Sequence, residues 1–208
     1  QKGKRAGRPP VEPLYTVEDA MAALDALRVY DYQQQFELCP GVQVRFQDAG
    51  HLLGSAIVEI WATEGEKTTK LVFSGDLGNV DRPLIRDPQK PVNADYVVIE
   101  STYGDRLHGD RPDYVGQLTR ILQETFDRGG NVVIPAFAIG RTQELLYLIR
   151  NIKNSGAIRG HDGFQVYVDS PLAVEATKIY ASGLTGFYDE ETLALLAQGI
   201  DPITFPGL

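Results

Sequence analysis

Thr16-Val17-Glu18-Asp19 opens the first clear pattern in the chain, a capping-box-like start followed by Val17, Ala20, Met21, Leu24 and Leu27 at helical spacing. It predicts a helix that packs one face. From Val42 to Ile60 the period changes to two: Val42, Val44 and Phe46 share one side of a strand, as do Ala56, Val58 and Ile60, with a sharp apolar-glycine turn containing His51 between them. Residues 71–73 and 96–99 are short apolar runs ending in Ser74-Gly75-Asp76 and Glu100-Ser101-Thr102, as expected of buried strands that deliver polar residues at their ends. Two carboxylates and one imidazole thereby collect at strand exits.

A second regime begins near Asp105. Val115, Leu118, Ile121, Leu122 and Phe126 recur at helical spacing and stop at Gly129-Gly130. A strand over 132–134, a helix through Leu145, Leu148, Ile149 and Ile152, a strand over 166–168 and a helix from Ala173 to Tyr180 follow, each from its own periodicity. Alternating strand and helix predicts an α/β fold with parallel βαβ units and right-handed crossovers. The working edge of such a sheet lies at the strand C-termini, here Pro135-Ala136-Phe137 and Asp169-Ser170-Pro171.

Composition narrows the class. With 208 residues and 43% hydrophobic content the chain can bury a sizeable core. No apolar run approaches the ~20 residues of a membrane span and no charged-then-apolar stretch ends in a small-residue cleavage site, so a cytoplasmic protein with no membrane contact is expected. Cys39, the single cysteine, has no disulfide partner and reads as a small buried hydrophobe. A net charge of −8 argues against holding nucleic acid by bulk charge. The one basic cluster, Lys2, Lys4, Arg5 and Arg8, reads as a solvated loop.

The chemistry-bearing positions are few. Gly50-His51-Leu52-Leu53-Gly54-Ser55 holds a histidine between glycines, and Ser74-Gly75-Asp76-Leu77-Gly78 holds an aspartate at a strand end. Alone, each reads as a turn residue. Together, an imidazole and a carboxylate on neighbouring strand ends are donors that borderline zinc takes. Arg141 stands at the expected N-terminus of a helix, where free N–H groups and a guanidinium could both meet a phosphate, the competing reading being an ion pair with Glu144. Ser170, before Pro171, offers a second anion site, with Asp169 as the alternative helix cap.

At this point a family resemblance becomes specific. The His51 and Asp76 stretches resemble the third and fourth metal motifs of the metallo-β-lactamase superfamily, and Glu100-Ser101-Thr102-Tyr103-Gly104-Asp105-Arg106 resembles the acidic motif that opens the β-CASP insertion. Two more stretches, residues 135–144 and 169–173, look like blocks of that insertion, so the similarity spans about residues 7–182. The resemblance implies a partial metallo-β-lactamase αββα fold over 1–104, the C-terminal portion of its first segment, followed over 105–208 by the N-terminal portion of a Rossmann-like parallel β-CASP domain. It implies that His51 is a ligand of one zinc, that Asp76 bridges two zincs and is catalytic, and that Glu100 is the catalytic acidic residue orienting a proton-donating histidine. Arg141, Ser170 and His108, which follows the acidic motif, are the expected substrate-binding residues.

Departures from the family pattern matter equally. The His-x-His-x-Asp-His motif is absent, His51, His108 and His161 are the only histidines, and neither later one has the context of the family's further histidines. That leaves two ligands where a tetrahedral site needs about four. With Gln1 first and Met21 the only methionine, the chain is expected to be an internal fragment of a zinc-dependent ribonuclease acting on single-stranded RNA. It is expected to be inactive alone and to lack flanking segments of its own polypeptide, with two zincs held by the complete parent; homo-oligomerisation is left open. The alternatives are a non-catalytic RNA-processing partner subunit and a small-molecule hydrolase of the same superfamily. A plain nucleotide-binding domain is disfavoured, since neither GxGxxG nor GxxxxGK occurs.

Overall fold

The computed structural model describes residues 13–107, 113–182 and 184–208. The expected basic cluster and His108 lie outside the described residues. The chain divides into two compact units, Gln1–Asp31 and Tyr32–Leu208.

In the first unit, helix α1 (Val17–Asp25) starts where its sequence places it. The Thr16 hydroxyl accepts from Asp19 N–H at 3.3 Å while the Asp19 carboxylate accepts from Thr16 N–H at 2.8 Å, a reciprocal pairing of donors that no helical carbonyl reaches. The expected packed face is not found. None of its residues is buried, and Val17, Met21 and Leu24 are 73%, 57% and 57% exposed. An apolar stripe states which face could pack, whereas the cap and internal hydrogen bonds form the helix regardless.

The second unit holds one five-stranded sheet in the order β1 (Gln35–Cys39), β2 (Val42–Asp48), β3 (Ala56–Glu64), β4 (Lys67–Phe73), β5 (Tyr96–Val98). The first three pairings are antiparallel and β5 joins β4 in parallel. Register sets Val44 opposite Ile60 and Phe46 opposite Val58, then Ile60 opposite Leu71 and Val58 opposite Phe73, so the period-two positions share one face. On the other face lies a fully buried carboxylate, Glu59, which receives Arg45 Nε, Lys70 Nζ and Gln47 Nε2, each at 2.6 Å. Burial alone would raise its pKa, but these hydrogen bonds prevail and hold it below the usual carboxylate range. Cys39 is exposed rather than buried, because it ends the edge strand β1 just past an irregularity in the β1–β2 register.

Four helices follow: α2 (Tyr114–Asp127), α3 (Arg141–Asn154), α4 (Pro171–Ala181) and α5 (Glu190–Ala197). Helix α2 begins on the Asp113 carboxylate, which accepts from Gly116 N–H at 2.8 Å, and closes on the expected glycines, with Gly130 N–H donating to Thr125 O at 2.9 Å. Ser170, not Asp169, caps α4: its Oγ accepts from Ala173 N–H at 3.2 Å.

The expected parallel sheet of the second half is not observed among the described residues. Residues 132–134 and 166–168 form no strand, and Val133 and Tyr167 are 88% and 85% exposed. A helix closes its own hydrogen bonds, but a strand exists only with a neighbour; these runs have none, apart from Val166 N–H donating to Gly207 O at 2.7 Å. The result is a mixed α/β fold whose parallel pairing, among the described residues, is that of β4 with β5.

Among the described residues, three apolar clusters hold the unit. The sheet contributes Ala49, Ile57 and Val72; Leu122, Ile152 and Ile158 join α2 to α3; and Leu84, Ile85, Leu146, Tyr147 and Tyr180 centre the largest, on which Leu53 of the His51 turn also packs. That last contact brings the turn between β2 and β3 to the helices. Among the described residues, no helix is long and apolar enough to cross a membrane.

Candidate active site

The His51 turn is built by hydrogen bonds that its own sequence supplies. Ser55 Oγ accepts from the N–H groups of both His51 and Leu52 at 3.1 Å, Ser55 N–H returns to Leu52 O at 3.0 Å, and Ala49 N–H reaches Ser55 O at 3.1 Å. Asp48 Oδ1 accepts from Gly50 N–H at 2.8 Å. Burial pushes the Asp48 carboxyl up, against the opposing pull of that N–H and of Arg86. The turn therefore has a fixed backbone on which His51 is partly exposed.

The Asp76 loop lies directly against it. Gly78 N–H donates to Ala49 O at 2.8 Å, and a Cβ on Gly78 would fall 1.6 Å from Gly50 O. Only glycine permits two backbones to approach that closely. Glu100 then locks the same loop from the exit of β5: its N–H donates to Ser74 Oγ at 3.1 Å and its Oε1 accepts from Leu77 N–H at 2.6 Å. The Leu77 N–H, with the Thr102 hydroxyl and the charge of His51 adding to it, holds the Glu100 carboxyl below the usual carboxylate range. His51, Asp76 and Glu100 thus stand on three interlocked segments, as their places at strand exits predict.

The helices approach from the other side. A Cβ on Gly140, at the start of α3, would meet Leu52 Cδ2 at 2.3 Å, so the N-terminus of α3 abuts the His51 turn; Tyr180 of α4 meets the backbone of Leu53. Arg141 is more than half exposed and pairs with Glu144 at 2.9 Å, and the same carboxylate oxygen takes Arg82 Nη2 at 2.7 Å. The ion pair expected as the competing reading of Arg141 is therefore formed. Ser170 uses an oxygen lone pair on its cap, which leaves its hydroxyl proton free to donate. His161 lies elsewhere, hydrogen bonded to Asp127 at 2.9 Å.

An imidazole and a carboxylate are the right donor types, but among the described residues no three His, Cys, Asp or Glu side chains gather where they could hold a metal ion.

Comparison with known proteins adds an independent observation. Residues 142–208 match the Beta-Casp domain family. The chain is 38% identical over 199 residues to ribonuclease TTHA0252 of Thermus thermophilus, an alignment covering 95% of this chain and 43% of that protein. It is 34% identical over 171 residues to an RNase J-like protein of Methanocaldococcus jannaschii, covering 81% of this chain and 39% of that one. The chain belongs to the β-CASP family. A third relative, endoribonuclease YSH1 of Yarrowia lipolytica, is 30% identical over 193 residues, 92% of this chain and 22% of its own length. The chain thus spans less than half the length of these β-CASP relatives. Ser170 and Glu144 fall inside the matched β-CASP domain, while His51, Asp76 and Glu100 precede it.

Sequence reading passes over several residues that shape this region: Asp48 and Ser55, which fold the His51 turn; Arg82, which shares Glu144; and Gln143, which is fully buried. Asp48 and Ser55 could have been found, since a carboxylate two residues before a glycine and a serine closing a tight turn are both local hydrogen-bonding habits. Arg82 and Gln143 act across more than thirty positions of sequence and leave no local mark.

Proposed function

We propose that this chain is part of a metal-dependent ribonuclease that hydrolyses phosphodiester bonds in single-stranded RNA. The observation that carries the reading is the interlocking of the His51, Asp76 and Glu100 segments, with Gly78 N–H on Ala49 O and Leu77 N–H on Glu100. Three relatives named as ribonucleases or RNase-like support it. On this reading residues 1–104 are metallo-β-lactamase-fold sequence and 105–208 β-CASP sequence. His51 and Asp76 are two donors of a two-zinc centre completed by groups outside this chain.

The roles left to this chain's residues are binding and orientation. Glu100 fixes the loop that presents Asp76 and orients the proton-donating group. Arg141, held by Glu144 yet open to solvent, and the Ser170 hydroxyl bind phosphates of the RNA backbone beside the His51 turn. Such local contacts suit a chain of net charge −8, which holds RNA by placed donors rather than bulk charge.

The test pairs Asp76→Ala with Glu100→Gln in the protein of full family length, reading zinc content beside cleavage of labelled single-stranded RNA. Asp76→Ala is expected to lose both metal and cleavage. Glu100→Gln should keep its metal while turnover falls by up to ~10²–10⁴-fold, the usual share of one general acid. Loss of metal in Glu100→Gln as complete as in Asp76→Ala, or full activity, removes the assignment of Glu100; no RNA cleavage by the metal-loaded protein removes the function. The 208-residue chain alone is expected to hold zinc weakly and cleave nothing.

A further inference from the structure

Gln143 is a fully buried amide in the first turn of α3. Its Oε1 accepts from Gly140 N–H at 2.7 Å; its Nε2 donates to Ala138 O and Thr177 Oγ1 at 3.1 Å each and reaches Ala173 O at 3.5 Å. The amide orientation is decided by its neighbours, because Gly140 offers only a donor and the two carbonyls only acceptors. One side chain therefore ties three things together. Gly140, which a Cβ would drive into Leu52 of the His51 turn, is held at the start of α3; Ala138 is held in the segment leading to it; and Ala173 and Thr177 belong to α4, about one and two turns from the Ser170 cap.

We propose that Gln143 is a positioning residue for RNA binding, fixing the edge that carries Arg141 and Ser170 against the turn that carries His51. The proposal rests on the reading that this edge binds backbone phosphates. The Gln143 hydrogen bonds go to Gly140, Ala138, Ala173 and Thr177 rather than to Arg141 or Ser170, so its effect is on register: it sets the spacing at which two phosphate donors stand beside the reacting position. A buried amide with every polar atom paired has one favourable orientation, and its removal leaves Gly140 N–H and the Ala138 carbonyl without their partner.

The experiment uses the full-length ribonuclease and Gln143→Met, which keeps length and bulk but no donor or acceptor, beside Gln143→Glu and Arg141→Ala. Gln143→Met is expected to raise KM for single-stranded RNA roughly tenfold while kcat moves no more than about threefold, the pattern of lost uniform binding. Gln143→Glu should raise KM at about pH 8, where a carboxylate faces two carbonyls, and recover toward wild type near pH 6 as burial lets it take a proton and donate again. That pH-dependent recovery, measured relative to wild type, would not arise from a packing defect and reads the proposal even if Gln143→Met fails to fold. Amide exchange at Gly140 should speed up in Gln143→Met, a readout independent of activity. If Arg141→Ala raises KM but Gln143→Met leaves it within about twofold of wild type, the positioning role is overturned. If Arg141→Ala itself leaves KM unchanged, the phosphate-edge reading fails first and takes this proposal with it.

Discussion

The sheet half of the second unit and its helical half answer the same sequence signal differently. In residues 42–60 an apolar period of two becomes β2 and β3, and the short apolar run 71–73 ends β4, with β2 antiparallel to β3 and β3 antiparallel to β4. In residues 132–134 and 166–168 comparable apolar runs form no strand. The helices between them form as expected, over Tyr114–Asp127, Arg141–Asn154 and Pro171–Ala181. The difference lies in where the hydrogen-bond partner stands. A helix finds it four residues away and a hairpin strand finds it across a turn, but a parallel strand must wait for a distant segment. Even β5, which does pair in parallel, keeps Tyr96, Val97 and Val98 more than half exposed.

The largest expected effect tests whether the helical half is held by packing despite its unformed strands. Leu146, 3% exposed, centres the cluster that joins α3 and α4 to Leu84 and Ile85. Leu146→Ala should cost ~2–5 kcal/mol in urea unfolding, whereas Val133→Ser, at a position 88% exposed, should stay within about 0.5 kcal/mol. A large loss at Val133 would mean that the run at 132–134 is buried after all, and the contrast between the halves would break.

Next in size is the contact between loops within the sheet half. Gly78→Ala places a methyl against the Gly50 carbonyl, where neither backbone can give way without moving its loop. The expected loss is ~1–3 kcal/mol, with faster amide exchange at Gly78, whose N–H donates to Ala49 O. Unchanged stability together with unchanged exchange would mean that the His51 and Asp76 segments are less tightly joined than this geometry requires.

How much was legible follows the same division. His51 and Asp76 could be located because each follows a strand of the β2–β3–β4 hairpins, and Glu100 because the apolar run 96–99 ends just before it, although its strand β5 pairs in parallel with β4. Helix α5 carries a readable start, the Asp189 carboxylate accepting from Thr192 N–H at 2.7 Å with Leu193, Leu195 and Leu196 following it, yet sequence reading, whose last helix ends at Tyr180, passes over it. Cys39 was misplaced because residue type speaks to average burial and not to a position on a sheet edge. Gln143 and Arg82 were invisible for a deeper reason. Their partners, Thr177 and Glu144, are 34 and 62 positions away, and a polar residue with a distant partner looks like a surface residue until the chain folds.

The smallest effect expected is the most specific to the site. Glu100 carries a carboxyl held below its ordinary 4.5 by the Leu77 N–H, the Thr102 hydroxyl and the charge of His51. A depressed carboxylate stabilises the fold fully above the unfolded-state pKa, and that contribution is lost as pH falls through the lower native value. Glu100 should therefore titrate with a midpoint below 4.5 by carboxyl carbon NMR, and the Leu77 amide resonance should shift with the same midpoint as its acceptor takes a proton. Glu100→Gln should abolish that shift while leaving Gly78 N–H bonded to Ala49 O, because that second link between the loops involves no titrating group. A Glu100 midpoint at or above 4.5, or a Leu77 amide indifferent to it, would detach the Glu100 carboxylate from Leu77 and leave its N–H on Ser74 Oγ as the tie to the Asp76 loop.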